Sequence, residues 1–432
     1  MSLRTRGRLV AATTFALACA WVSPALAAES TLDTGDTAWV LVCSALVLLM
    51  TPGLALFYGG MVRSKSLLSS LMHSFVAMGV MTIQWVVIGY SLAFSEGNSF
   101  VGGLSHVFLA GVENTATGGS TIPDSVFMIF QGMFAIITPA LISGAVAERI
   151  KFSAYVVFIV LWGTLVYDPI CHWVWADGGW LYGEALDFAG GTVVHISSGV
   201  SALVLAMVVG RRIGYPQHPI KPHNLGLTLL GAGLLWFGWF GFNAGSALGA
   251  NEAAANAFVV THISAATAAL VWCLIELWHR GKASALGFAS GAVAGLVGIT
   301  PACGNVDSMG ALAIGATVAA ACYGGVMLKG RLGYDDSLDA FGVHGIGGAW
   351  GALATGVFAV TAVGGTAGLI ESGTATQLWK QTEGVVATAV YAGAVTFVLA
   401  KIIDAVIGLR VSEDDERMGL DLSEHGETGY DF

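Results

Sequence analysis

Residues 285–303 read ALGFASGAVAGLVGITPAC, an uncharged stretch in which Gly287, Gly291 and Gly295 repeat the G-x-x-x-G spacing twice. A segment this apolar and this long suits a hydrocarbon core of about 30 Å. Small residues four apart let helix backbones approach closely in lipid. The rest of the chain has the same character. Its 432 residues are 55% hydrophobic and only 11% charged, against roughly 25% charged in soluble domains. Glycine, at 59 residues, is about twice its usual share of roughly 7%. Such a composition excludes a water-soluble globular enzyme, and also disorder, which needs low hydrophobicity and high net charge. Net charge is −10 and no basic run exceeds Arg211-Arg212, so nucleic acid, which is bound through cationic contacts to phosphate, is not an expected partner. The lipid bilayer is.

Working outward, apolar segments of spanning length centre on residues 37–60, 68–94, 125–147, 153–171, 190–210, 224–246, 254–278, 285–303, 308–328, 340–361 and 383–408. The expectation is an all-α polytopic membrane protein with eleven transmembrane helices. Residues 1–28 carry Arg4, Arg6 and Arg8, then an apolar stretch, then Ala25-Leu26-Ala27, which is the order of a cleaved signal peptide. The organisation expected is thus leader 1–28, eleven-helix membrane domain 29–408 and tail 409–432. Every Lys and Arg beyond the leader except Lys380 falls on one side of the spans, and by the positive-inside rule that side is cytoplasmic. This places the mature N-terminus outside and the tail inside, in the inner (cytoplasmic) membrane. The opposite loops hold Glu96, Glu113, Asp124, Asp168, Asp177, Glu184, Asp187 and Glu252. That acidity either concentrates cations or reflects the exclusion of Lys and Arg from translocated loops.

The two halves of the chain echo each other. Spans one to five end with Asp187 followed by His195, and spans six to ten with Asp339 followed by His344. Five spans per half means an inverted repeat plus one C-terminal helix, an arrangement that puts a transport path between the halves. His195 and His344 are ionisable groups at membrane depth, each in a glycine-rich apolar stretch. Two facing imidazoles can share a proton and line a path for a small polar molecule, because each neutral ring has one donor and one acceptor. A plain helix-to-helix hydrogen bond is the equally weighted alternative. For His73 and His262, which lack counterparts, the plain role is preferred. By span limits alone His195 lies near the outer side and His344 near the inner.

Asp187 opens Asp-Phe-Ala-Gly-Gly ahead of the fifth span. There a carboxylate can cap the helix start, and this is favoured over holding a cation, because a full charge in the path would bind it too tightly to release it. Phe130 and Phe134 share a helix face, Trp173 and Trp175 end the fourth span, and Trp239, Phe240 and Phe242 precede Ser246. Aromatic faces attract cations by about 0.5–2 kcal/mol, although interfacial aromatic belts are common. Trp173 reads as belt, whereas Trp175, Phe130, Phe134 and Ser246 together read as a cage with one hydroxyl. Cys43, Cys171, Cys273, Cys303 and Cys322 form no C-x-x-C pair, so neither a disulfide framework nor a metal site is expected, and no cofactor is implied.

These strings carry a resemblance. Asp187–Gly191, Trp236–Ser246, Thr300–Gly304 and Phe341–Gly345 together resemble bacterial Amt-type members of the ammonium transporter (Amt/Mep/Rh) family, from about residue 37 to the tail. The resemblance implies ammonium or ammonia transport with methylammonium as an analogue, and a homotrimer with one pore per subunit. It implies an outer recruitment site of Phe130, Trp175 and Ser246 with the Ala189 carbonyl nearby, and a gate of Phe134 and Phe242. It further implies pore histidines His195 and His344, with Asp187 shaping the outer site. Trp175 and Trp239 favour the Amt branch over the Rhesus-like one. The tail strings Gly408-Leu409-Arg410-Val411 and His425-Gly426-Glu427 resemble the cytoplasmic tail that packs on a neighbouring subunit and meets a PII-type signal protein. Read without the resemblance, Glu413-Asp414-Asp415-Glu416 is a solvated charged tail. A sensor that reports ammonium through this tail is the rival function. An enzyme is disfavoured because no H-E-x-x-H, G-x-S-x-G or G-x-x-x-x-G-K pattern occurs.

Overall fold

The computed structural model describes residues 31–218 and 220–431, so the expected leader, with Cys19, lies outside the described residues. The described residues are mostly helical, with one two-stranded ribbon, Gly97–Asn98 with Val101–Gly102. Nine of the described helices are long and apolar enough to cross a bilayer. They are α1 (Thr34–Met61), α2 (Ser64–Phe94), α3 (Asp124–Val146), α4 (Phe152–Trp175), α5 (Gly191–Val209), α6 (Leu225–Gly245), α7 (Glu252–Arg280), α9 (Ser308–Leu332) and α11 (Thr376–Val406). The segments expected as eighth and tenth spans are shorter: α8 covers Ala285–Ile299 and α10 covers 341–358. The tail adds α12 (Glu413–Met418) and α13 (Leu420–His425).

Side-chain caps begin many of these helices as the sequence dictates. Asp33, Asn224, Asn251, Ser284 and Asp307 each accept a backbone N–H three residues on, which satisfies a donor that has no partner within the helix. Gly281 and Gly333 end α7 and α9 with φ of 74° and 73°, a conformation that costs glycine little. The glycine repeat packs α8 on α7: a Cβ on Gly291 would stand 2.6 Å from Trp272 Cβ, and one on Gly295 2.6 Å from Ala268 Cβ. Four helices contain π turns: Trp85–Gly89 in α2, Gly163–Tyr167 in α4, Gly191–Ile196 at the start of α5 and Phe341–Gly345 at the start of α10.

Two expectations change here. Asp168 is not in a loop; it is fully buried within α4, because its helix runs on through the π turn to Trp175. Asp187 caps as the sequence favours, being 7% exposed with both oxygens bonded to the N–H groups that open α5. The acidic tail is docked rather than solvated. Ser69 N–H, near the start of α2, donates to Asp421 Oδ1 (2.9 Å), and Phe152 N–H, the first residue of α4, donates to Glu424 Oε2 (2.8 Å). Ile213 N–H donates to Glu416 Oε1 (2.6 Å) and Arg410 to Glu416 Oε2 (2.6 Å). Tail carboxylates thus act as N-terminal caps for two long helices of the same chain.

Candidate functional site

The two histidines meet because glycines remove the side chains between their helices. A Cβ on Gly199 of α5 would run into the backbone of Gly345 in α10, and one on Gly348 would stand 2.8 Å from His195 Cβ. Backbone contact at this crossing brings His195 Nδ1 to 3.3 Å from His344 Nδ1, with ring centroids 5.3 Å apart and planes at 22°. The span limits had set them at opposite sides; the crossing of two helices at their histidine-bearing starts overrides that. Both rings are buried, and His195 Nε2 has no partner among the described residues. They line a narrow cavity otherwise walled by Met50, Leu54, Phe57, Ile137, Leu141, Val194, Leu235, Trp239, Phe242 and Val293. Apart from the imidazoles, the side chains of that wall are apolar except for the Trp239 N–H.

Above His195 stands an aromatic stack. Trp239 lies 5.5 Å from the His195 ring at 21°, and Phe242 6.1 Å from it at 29°. Phe242 in turn packs on Phe134 with ring centroids 4.2 Å apart. Beyond them, Phe134 makes edge contacts with Phe130 (5.0 Å) and Trp175 (5.8 Å). Phe130, Phe134 and Phe242 are buried and Trp175 is half-buried, so Trp175 is the partly open member. Ser246, also half-buried, donates its hydroxyl to Phe242 O at 2.9 Å, which leaves its oxygen lone pairs as acceptors. Trp239 is fixed by donating Nε1–H to Thr300 Oγ1 at 2.9 Å. Trp173 is no interfacial anchor; it is buried and donates to Phe100 O at 2.7 Å.

Asp187 holds this end together. Its carboxylate accepts backbone N–H bonds from Gly190 (2.8 Å), Gly191, Thr192 (2.8 Å) and Val193 (3.2 Å), plus the Thr192 hydroxyl. Its carbonyl accepts Trp175 Nε1–H at 2.8 Å. One residue therefore caps the π turn that carries His195 and fixes the cage tryptophan. Gly190 makes the turn with φ 115°, which a side chain would resist. Ala189 is buried between them.

The counterpart in the other half is Asp336, not Asp339. Asp336 accepts the N–H groups of Ala340 (3.0 Å) and Phe341 (2.8 Å) at the π turn that carries His344. The interval from Asp336 to His344 equals that from Asp187 to His195, a pairing legible in the sequence that proximity to His344 obscured. Asp339, at φ 61°, instead pairs with Lys329 at 2.5 Å. Nearby lies a buried ionic cluster. Arg212 bridges Glu148 (3.0 Å) and Asp335 (2.8 Å), and Arg63 also reaches Glu148 (3.0 Å). Burial alone would raise both carboxyls, but Arg212, with Arg63 at Glu148 and Arg149 at Asp335, holds them below the ordinary carboxylate range. Burial pushes Asp336 up to about 6 against the pull of Lys329, with Asp339 adding to the rise.

His73 sits between Tyr155 (4.5 Å) and Phe152 (6.0 Å) with neither ring nitrogen bonded, and His262 lies against Trp236 and Phe240. Neither borders the cavity. The five cysteines of the described residues are all free.

Comparison with known proteins places the chain among membrane transporters of one family. The sequence profile described as Ammonium Transporter Family matches residues 38–430. A Bacillus subtilis protein named "Ammonium transporter" is 52% identical over 402 residues, covering 92% of this chain and 98% of its own. The crystal structure of Saccharomyces cerevisiae Mep2 superposes with a TM-score of 0.83 at 38% identity, over 89% of each chain. A structure titled "Sensor Amt Protein" superposes with a TM-score of 0.83 at 28% identity, over 90% of this chain and 98% of its own.

Proposed function

The chain belongs to the Ammonium Transporter Family, and on that premise we propose that it recruits ammonium at the aromatic cage, where ammonium gives one proton to the outer water, and conducts uncharged ammonia past His195 and His344. The contact of two imidazoles inside an otherwise apolar cavity carries this reading. Burying an ammonium-sized ion costs on the order of 20 kcal/mol in the idealised limit. Removing its proton at pH 7 costs about 3–5 kcal/mol for an amine with a lysine-like pKa. Deprotonation is the cheaper entry, and a neutral amine then needs only the occasional hydrogen-bond partner. Phe130, Trp175 and Ser246, with the Ala189 carbonyl, form the recruitment site. Phe134 and Phe242 are the gate that keeps bulk water out, and Asp187 and Trp239 hold the surrounding shape.

The cage faces outward and the arginine-rich end faces the cytoplasm of a bacterial inner membrane, as the distribution of Lys and Arg supports. Each subunit of a homotrimer carries its own conduit. α8 and α10 count as spans, which makes the bundle eleven helices in an inverted repeat. The matching carboxylate-to-histidine intervals and the paired π turns of α5 and α10 support the repeat. A PII-type protein docks at the cytoplasmic end. Failure of purified transporter and PII protein to form a complex while transport stays intact would remove that partner.

The test is labelled methylammonium uptake, together with current after an ammonium jump, in vesicles holding the parent, His195→Ala or His344→Ala. Uptake by the parent that collapses in both variants is expected, and undiminished uptake in both sinks the two-histidine path. The similarity to a structure titled as a sensor favours a second reading, ammonium sensing through the tail. Removing residues 409–432 separates the two: a transporter still takes up methylammonium, and a pure sensor takes up none.

A further inference from the structure

Away from the conduit, α2 and α4 each carry a π turn, and the two turns flank one polar contact. The turn Trp85–Gly89 begins directly after Gln84, and the turn Gly163–Tyr167 ends directly before Asp168. Turns of this kind recur at functional positions. Asp168 is fully buried and Gln84 6% exposed. Gln84 Nε2 donates to Asp168 Oδ2 at 2.7 Å and to Thr164 Oγ1 at 3.2 Å, which uses both amide hydrogens. Among the described residues two oxygens are left without partners, Asp168 Oδ1 and Gln84 Oε1.

A carboxylate and an amide oxygen are both acceptors only, so neither can satisfy the other as drawn. No Lys or Arg pairs with Asp168 among the described residues. The ionisable groups facing it are Tyr167 and Cys171 of its own helix, and α2 supplies only Gln84. An unpaired charge at this depth is costly, and a buried polar atom without a partner costs about 1–3 kcal/mol. One hydrogen removes all three faults at once.

We propose that Asp168 is a carboxylic acid in the folded protein, its Oδ1–H donating to Gln84 Oε1, so that the two side chains form a closed acid–amide pair that holds a proton between α2 and α4. The pair ties the π turns together with two hydrogen bonds and no net charge. Gly89 is required beneath it, since a Cβ there would stand 2.7 Å from Gln84 Oε1. Asp168 is a positioning residue: it anchors the final stretch of α4, Asp168–Trp175, whose last residue is the cage tryptophan.

Infrared difference spectra of the detergent-purified full chain at neutral pH test this without reference to transport. Subtracting Asp168→Asn from the parent is expected to reveal the carbonyl stretch of a protonated carboxylic acid. In Gln84→Leu that band persists but moves to higher frequency, because its hydrogen-bond acceptor is gone. A carboxylate band removed by Asp168→Asn overturns the proposal, as does an acid band that Gln84→Leu leaves unmoved. Melting in sodium, potassium and choline chloride is the companion measurement. Stabilisation by sodium or potassium over choline that is present in the parent and absent in Asp168→Asn would mean a bound cation in place of the proton. Should Asp168→Asn fail to fold, the shift in Gln84→Leu decides alone.

Discussion

The two histidine-bearing segments, 187–195 and 336–344, use one device in two settings. In each a carboxylate caps a π turn, and the same interval leads to the imidazole. They differ in what surrounds the cap. Asp187 meets four backbone N–H groups, one hydroxyl and no cation, under a roof of aromatic rings. Asp336 meets two backbone N–H groups and stands beside Lys329, Asp339 and the Arg212 cluster. The contrast teaches that the turn needs a carboxylate cap but not a particular electrostatic neighbourhood. One end is thereby free to be dry and aromatic while the other is ionic.

The comparison breaks most completely if the segments cease to be one unit. Gly199→Leu drives a side chain into the Gly345 backbone, so we expect loss of monodisperse protein on size exclusion of solubilised membranes. Next in size is the difference between the caps. Asp187→Ala orphans four backbone donors and Asp336→Ala two, and at about 1 kcal/mol each we expect losses on the order of 4 and 2 kcal/mol by chemical unfolding. Equal losses would mean that the caps are not the source of the difference.

Titration sharpens the contrast within the ionic end. Asp336 is raised to about 6, above an unfolded value near 4. Its contribution is therefore fully present below pH 4 and lost as pH rises through about 6. Comparing unfolding of the parent with Asp336→Asn at pH 5 and pH 7 should show the parent losing about 1 kcal/mol relative to the variant. Asp335 and Glu148, held low by Arg212, have the opposite sign. Their contribution is present above pH 4 and lost as pH falls below it, so acid should melt the cluster first. Smallest is Lys380→Ala. Its pair with Glu184 at 2.6 Å is substantially exposed, so a change under about 1 kcal/mol is expected, within error of the parent's melting point.

Much of this was legible in the sequence. Apolar length located the helices, glycine spacing marked α8 for close backbone packing, and the opening Asp-Phe-Ala-Gly-Gly favoured the Asp187 cap. What escaped did so for physical reasons. A single carboxylate barely moves a hydropathy average, so Asp168 was read at the edge of a span it lies within. The π turns leave no pattern in composition, and without them neither the depth of the histidines nor the Gln84 contact follows. Asp339 was matched to Asp187 by proximity to His344, whereas counting residues selects Asp336. The tail looked solvated because its charges are many, yet Asp421 is buried as a cap on α2 and Glu416 is buried against the turn at Ile213, and long-range pairings of that kind leave no local mark.

The histidine contact has a further consequence, since it joins the same nitrogen of both rings, Nδ1 to Nδ1 at 3.3 Å. Between neutral rings a single hydrogen occupies that gap, so one imidazole keeps a bare Nε2 while the other keeps Nε2–H. The pair consequently exists in two mirror-related electronic arrangements that interchange only when both tautomers flip together. A molecule in the cavity always meets one nitrogen that gives and one that takes, and its orientation reports which arrangement is in force.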